Sequence, residues 1–263
     1  MRNIKEIFIS VSIFLFFCFI LILGDSMKHN CILDSATLLS KGKLITSKTE
    51  KGVQIQHFLL KEQDKHDYFT LSFDDKVFYQ ENKVLEKVFS KILKQFLLKY
   101  HHGGTILIIG LGDSNILGDS FGPRVLDKLI ATNQYNDFLL IPKVALFTPE
   151  TMNRTGISSF KLIEMVVSSL HPDLIILIDS YVTTNKNYLN RLLEINDHGI
   201  IFAESLRSNR KIDASTFHIP VISIGYPILL KTKDFYLEHF KLNEDLPIMC
   251  NIISSAINKI IMS

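Results

Sequence analysis

The sequence predicts an α/β fold: a mostly parallel sheet flanked by helices, with an N-terminal transmembrane helix ahead of it. Three observations carry this. Short unbroken apolar runs recur at residues 105–109 (TILII), 174–178 (LIILI) and 221–225 (VISIG). Runs of that length without polar alternation fit strands buried on both faces, as in parallel sheets. Stretches with helical apolar spacing lie between and around them, so strand and helix alternate. The third observation is residues 7–23 (IFISVSIFLFFCFILIL), broken only by Ser10 and Ser12. As a helix this run rises about 26 Å, just enough to cross a thin hydrocarbon core.

The elements follow in order. Residues 25–50 are mixed and polar without clear period, and read as a linker. Val53-Gln54-Ile55-Gln56 and Tyr68-Phe69-Thr70-Leu71 alternate as strands do. From residue 82 to 100 the positions Leu85, Val88, Phe89, Ile92, Leu93 and Phe96 recur at helical spacing, and His101-His102-Gly103-Gly104 stops that helix. After the strand at 105–109 comes a glycine-rich loop, then a helix expected over 121–133 and a strand over 137–144. A helix is expected over 156–170, ended by His171-Pro172. The strand at 174–178 ends at Asp179. Residues 188–196 read as a strand or a short helix, 221–225 as a strand, and 246–262 as the closing helix. The domain organisation is therefore an anchor (1–24), a linker (25–50) and one α/β domain (51–263).

Composition narrows the function classes. With 47% apolar and 21% charged residues the chain is globular rather than disordered. Its net charge of +2 sets up no field favouring nucleic acid, and no nucleic-acid partner is expected. The three cysteines, Cys18, Cys31 and Cys250, form no CxxC pair and no disulfide framework. An uncleaved anchor is preferred over a signal peptide, because Leu-Gly-Asp-Ser after the apolar run is a poor cleavage site. The expected localisation is a single-pass membrane protein held by that helix. Arg2 and Lys5 precede the run and Lys28, Lys41 and Lys43 follow it, so the side of the membrane is left open. Oligomeric state is open too, a homo-oligomer included.

In open α/β sheets, ligands bind beyond the carboxyl ends of the strands. That rule selects loop 110–123 (GLGDSNILGDSFGP), Asp179, and Gly225-Tyr226-Pro227. Asp119, Asp179 and Asp113 are the carboxylates it places in one crevice. The loop opens like a dinucleotide fingerprint, but residue 115 is Asn and no Gly-Lys-Ser/Thr follows. Two structural roles compete with chemistry: Asp119 as a helix cap before Phe121-Gly122-Pro123, and Asp179 as a strand-end turn residue. Two carboxylates in a shared, partly dry site push their proton affinities apart, so one holds a proton while the other activates water. That suits acid/base peptide hydrolysis without a nucleophilic side chain. The same pair could bind a divalent metal, with His198 as a third ligand. His198 in Asp197-His198-Gly199 also reads as a surface turn residue.

These motifs resemble the spore germination protease family. Residues 110–123 resemble its GLGN, five residues, then DxLGP, at the same spacing. HPDLIILID at 171–179 resembles its KPDxVIAID, Asn196-Asp197-His198-Gly199-Ile200 its SDTGI, and IPVISIGYP at 219–227 its IPVIAIGVP. Thr155-Gly156-Ile157 resembles its TGxE helix start. The resemblance covers residues 66–263 in the same order. It implies a phosphorylase/hydrogenase-maturation-protease-like fold and an endopeptidase, made as a zymogen, that hydrolyses small acid-soluble spore proteins or another sporulation-related protein. It implies Asp119 and Asp179 as the catalytic aspartates; from the reading of the crevice itself Asp113 and His198 are candidate supporting residues, and no cofactor or resident metal is expected. The departures are specific. The family asparagine after GLG is Asp113 here, and its glycine-rich PGSGVGNKR loop is replaced by residues 202–210 (FAESLRSNR). A catalytically altered or inactive membrane-bound protein of the same fold, and a metal-dependent processing protease, are the alternatives.

Overall fold

The apolar runs become the middle of one large sheet. The computed structural model describes residues 42–61, 65–135, 141–205, 208–233 and 236–262. Four parallel strands form the centre: β4 (Thr105–Gly110), β5 (Lys143–Phe147), β6 (Leu174–Thr183) and β10 (Val221–Lys231). They lie in the order β5-β4-β6-β10. Alternation then sorts their side chains to two faces. Ile106, Ile108, Ile176, Ile178, Ile222 and Ile224 pack on one side under α2 (Asn82–Tyr100), α3 (Phe121–Leu126) and α7 (Leu242–Ile261). Leu107, Ile109, Ile175, Leu177 and Val221 pack on the other under Phe160, Ile163 and Val167 of α5 (Ser159–Leu170). Burial on both faces is why these strands read as continuous apolar runs.

Beyond β10 the sheet turns antiparallel. β7 (Leu192–Asn196) pairs with β10, β3 (Lys65–Ser72) with β7, β2 (Val53–Lys61) with β3, and β1 (Gly42–Glu50) with β2. The short β11 (Tyr236–Glu238) adds to the far end of β10. The nine-stranded sheet is thus mixed, with the expected parallel strands as a contiguous centre. A separate hairpin, β8 (Ile200–Ser205) with β9 (Ser208–Ile212), leads into the single turn α6 (Ala214–Phe217). The turn α1 (Asp75–Tyr79) precedes α2, capped by Asp74, whose carboxylate accepts from Val77 N–H at 2.9 Å.

Several expectations are corrected. Residues 42–50, read as part of a linker, are strand β1. That strand is exposed along nearly its whole length, so no buried face imprints alternation on it. Its conformation comes from pairing with β2 across the Lys51-Gly52 turn, both residues at positive φ. The helix expected over 121–133 stops at Leu126. Its continuation is drawn away by tertiary bonds: Ile130 N–H donates to Asn258 Oδ1, and the N–H groups of Thr132 and Asn133 to Val144 O. The strand expected at 137–144 lies partly outside the described residues and is seen as β5, at 143–147. Strand β6 does not end at Asp179 but runs on to Thr183.

The membrane expectation is corrected as well. Among the described residues, no helix is long and apolar enough to cross a membrane. Residues 1–24, on which the anchor and the single-pass localisation rested, lie outside the described residues, so nothing in the structure carries that localisation.

Candidate active site

The site opens where β4 stops and β6 continues. Pairing between them ends at Gly110 opposite Ile178, and Leu111 N–H still reaches Ile178 O at 2.9 Å. The chain then turns off through a single turn of 3₁₀-helix, Leu117–Asp119, into α3. Asp179 is the next residue of β6, paired only on its other side, with Gly225 of β10. Its β4 flank is left open at the point where the loop carrying Asp119 crosses.

Two glycines make that crossing possible. Gly112 has φ +117, and a Cβ there would lie 1.9 Å from the Asp119 carbonyl oxygen. A Cβ on Gly122 would lie 2.5 Å from the carbonyl oxygens of Ile178 and Leu111. The loop therefore folds flat on itself, and α3 starts against the end of β6, only because both positions lack side chains.

Asp119 is 8% exposed, and its Oδ2 accepts from Asp113 N–H at 3.0 Å. It is not the cap of α3. Ser120 holds that place, without a capping bond from its side chain, while the Asp119 carboxylate turns back over the loop. Asp179 Oδ1 accepts from Ser180 N–H at 2.8 Å. Burial pushes the Asp119 carboxyl up to about 7; the nearby charges of Asp113 and Glu150 push the same way, against the Asp113 N–H. Asp179 is held well above the carboxylate range by burial and then by the charge of Asp119. The two carboxyls thus sense each other and share a poorly solvated crevice.

The structure brings Asp113, Asp119 and Asp179 together and leaves His198 out. Asn196 pairs with Ser223, and His198 lies two residues further on, opposite the start of β10. That is about four residues, or roughly 13 Å, from Asp179 along the strand direction. There the His198 ring stands edge-on to His66, 5.2 Å between centroids. The metal set of both aspartates with His198 is therefore not assembled. Among the described residues, no group of three or more His, Cys, Asp and Glu is arranged to hold a metal.

The sequence reading missed residues at this edge. Thr151 Oγ1 donates to Asp113 Oδ2 at 3.3 Å, and Ser114 N–H to Glu150 Oε2 at 3.3 Å. Both residues follow β5, and placing β5 at 143–147 would have directed the strand-end rule to them. Glu194, 5% exposed, sits on β7 across Gly225 from Asp179, in the same lateral row. No sequence signal marks it, because its place comes from antiparallel pairing alone.

A profile of the germination protease family matches residues 37–242. The chain belongs to the germination protease family. Among relatives, it is 31% identical to the germination protease of Priestia megaterium over 230 residues, covering 76% of this chain and 61% of that protein. It is 30% identical to that of Clostridium tetani over 172 residues (62% and 53%), and 30% identical to that of Bacillus subtilis over 171 residues (58% and 46%). The chain spans about half to three-fifths of the length of these curated relatives. The stretch matched to the germination protease family contains Asp113, Asp119 and Asp179, and it takes in all of β1.

Proposed function

We propose that this chain is an endopeptidase of aspartic type, in which Asp119 and Asp179 activate water and donate a proton across the scissile peptide bond. One observation supports it above others. Two carboxyls meet in one crevice beside the parallel strands, both held above the ordinary carboxylate range by burial, and the charge of Asp119 raises Asp179 further. An ionised Asp119 therefore favours a protonated Asp179. Asp119 is then the base that takes a proton from water, and Asp179 the acid that protonates the leaving nitrogen. The Asp113 N–H holds one oxygen of Asp119 and the Ser180 N–H holds one oxygen of Asp179. The substrates proposed are small, unfolded proteins of sporulation and germination, following the names of the relatives and the motif resemblance.

The test uses the purified chain with small basic unfolded proteins as substrates. Cleavage should rise with pH through about 7 as Asp119 ionises. Asp119→Asn and Asp179→Asn should each slow it about 10²–10⁴-fold. Cleavage that survives both substitutions would sink the assignment. A second reading, a family member with altered or lost activity, is favoured by one observation. Where the resemblance leads one to expect a glycine-rich loop, residues 200–205 pair antiparallel with 208–212 as β8–β9, with one register irregularity between Ala203 and Ser205. Intact folding with no cleavage of any such protein would select it.

A further inference from the structure

We infer that Arg154, on the short helix α4 (Met152–Thr155), is a positioning residue: it pins the 113–115 turn whose N–H holds Asp119, and it supplies positive charge on the Asp113–Glu150 side of the site, while Arg124 of α3 lies on the other side with its Nε donating to Ser120 Oγ at 2.8 Å. The inference rests on the acid–base reading of the aspartate pair. It begins from an imbalance. Asp119 is faced by Asp113 from its own loop, Asp179 from β6 and Glu150 from the segment after β5, while Glu238 of β11 lies over Gly118 in the same turn. An added carboxylate next to a general base holds its proton on to higher pH.

Arg154 answers that imbalance with geometry. Its Nη1 donates to Ser114 Oγ at 2.5 Å and Glu150 Oε2 at 3.1 Å, and lies 3.7 Å from Asp113 Oδ1. Glu150 is held in a left-handed conformation, φ +59, which a non-glycine residue adopts only when its surroundings impose it. Ser159 Oγ donates to its carbonyl at 2.6 Å, and its carboxylate bridges Arg154 and Ser114 N–H. Asp113 is gripped from both sides, Oδ1 by Asn115 N–H at 2.9 Å and Oδ2 by Thr151 Oγ1 at 3.3 Å. The result is a continuous chain: Arg154 to Ser114, Glu150 and Asp113, then Asp113 N–H to Asp119. All three contacts fall on Nη1, held in place on a planar guanidinium; a lysine would supply the charge as a mobile point charge without that fixed geometry.

The test reads the Asp119 carboxyl directly in the full chain, by carbon-detected NMR titration, beside the pH profile of peptide cleavage. Arg154→Met should move the Asp119 midpoint up by about 0.5 to 1 pH unit, and the rising limb of the cleavage profile with it. Arg154→Lys should restore the midpoint while leaving the rate below wild type. Amide spectra matching wild type keep a folding defect from imitating the result. A midpoint unmoved in Arg154→Met, or moved equally in Arg154→Lys, overturns the inference even where cleavage persists. A moved and rescued midpoint in a chain that cleaves nothing upholds the electrostatic link and rejects the protease reading instead.

Discussion

Replacing Asp119 with asparagine should stabilise the folded chain at neutral pH, and by an amount that depends on pH. The Asp119 carboxyl titrates at about 7 when folded, against 3.8 for an unperturbed aspartate. Between those values the folded state holds a proton that the unfolded state has released. Stability therefore falls as pH rises through this window, since the unfolded state binds fewer protons. A separation of about 3 pH units corresponds to on the order of 4 kcal/mol of stability, fully present below about pH 4 and lost by the time pH has risen through about 7. Asparagine keeps the shape and an acceptor for Asp113 N–H but cannot ionise. The assay is chemical denaturation of wild type and Asp119→Asn at intervals from pH 4 to 8. The two should agree near pH 4, and the variant should gain up to about 4 kcal/mol by pH 8. A difference that stays constant across that range would refute the shared-crevice argument, because only a carboxyl with a raised folded affinity produces the slope.

Two further outcomes test the frame around the site. Gly112→Ala should abolish cleavage and cost at least about 3 kcal/mol in denaturation, because the new Cβ meets the Asp119 carbonyl at 1.9 Å and the backbone there is left-handed. Asp245→Ala should cost about 3–5 kcal/mol in the same assay. Asp245 is fully buried and accepts from Tyr79 Oη at 2.5 Å, Asn190 Nδ2 at 3.1 Å and Arg191 Nη1 at 3.1 Å, so its loss unpairs the buried Asn190 amide donor and leaves the partly buried Arg191 guanidinium to the exposed Asp75.

What sequence reasoning reached is explained by burial. Strands β4, β6 and β10 are covered on both faces, so nearly every residue is apolar and the runs are visible. Helix α2 is covered on one face, so its period shows. Strand β1 is covered on neither, and nothing in its residues marks it. The length of α3 was misread for a related reason. The residues after Leu126 are compatible with helix, but bonds to Asn258 and Val144, far along the chain, settle their path.

The site divides the same way. By itself the sequence placed Asp119 in the glycine-rich turn after one buried apolar run and Asp179 directly after another, because apolar runs and glycine-rich turns are local features; it did not show that β6 runs on past Asp179 to Thr183. It did not distinguish a catalytic carboxylate from a helix cap, and it grouped His198 with the pair. Only the tertiary structure decided these points. Strand order puts β4 beside β6, and β4 stops one residue short of Asp179, which opens the crevice. Antiparallel pairing carries His198 to the opposite edge and Glu194 to the row of Asp179. The loop after β5 brings Glu150 and Arg154 against Asp113. The physical reason is common to all three: which residues meet depends on sheet order and strand direction, and those are fixed by long-range pairing that leaves no periodic mark in the chain.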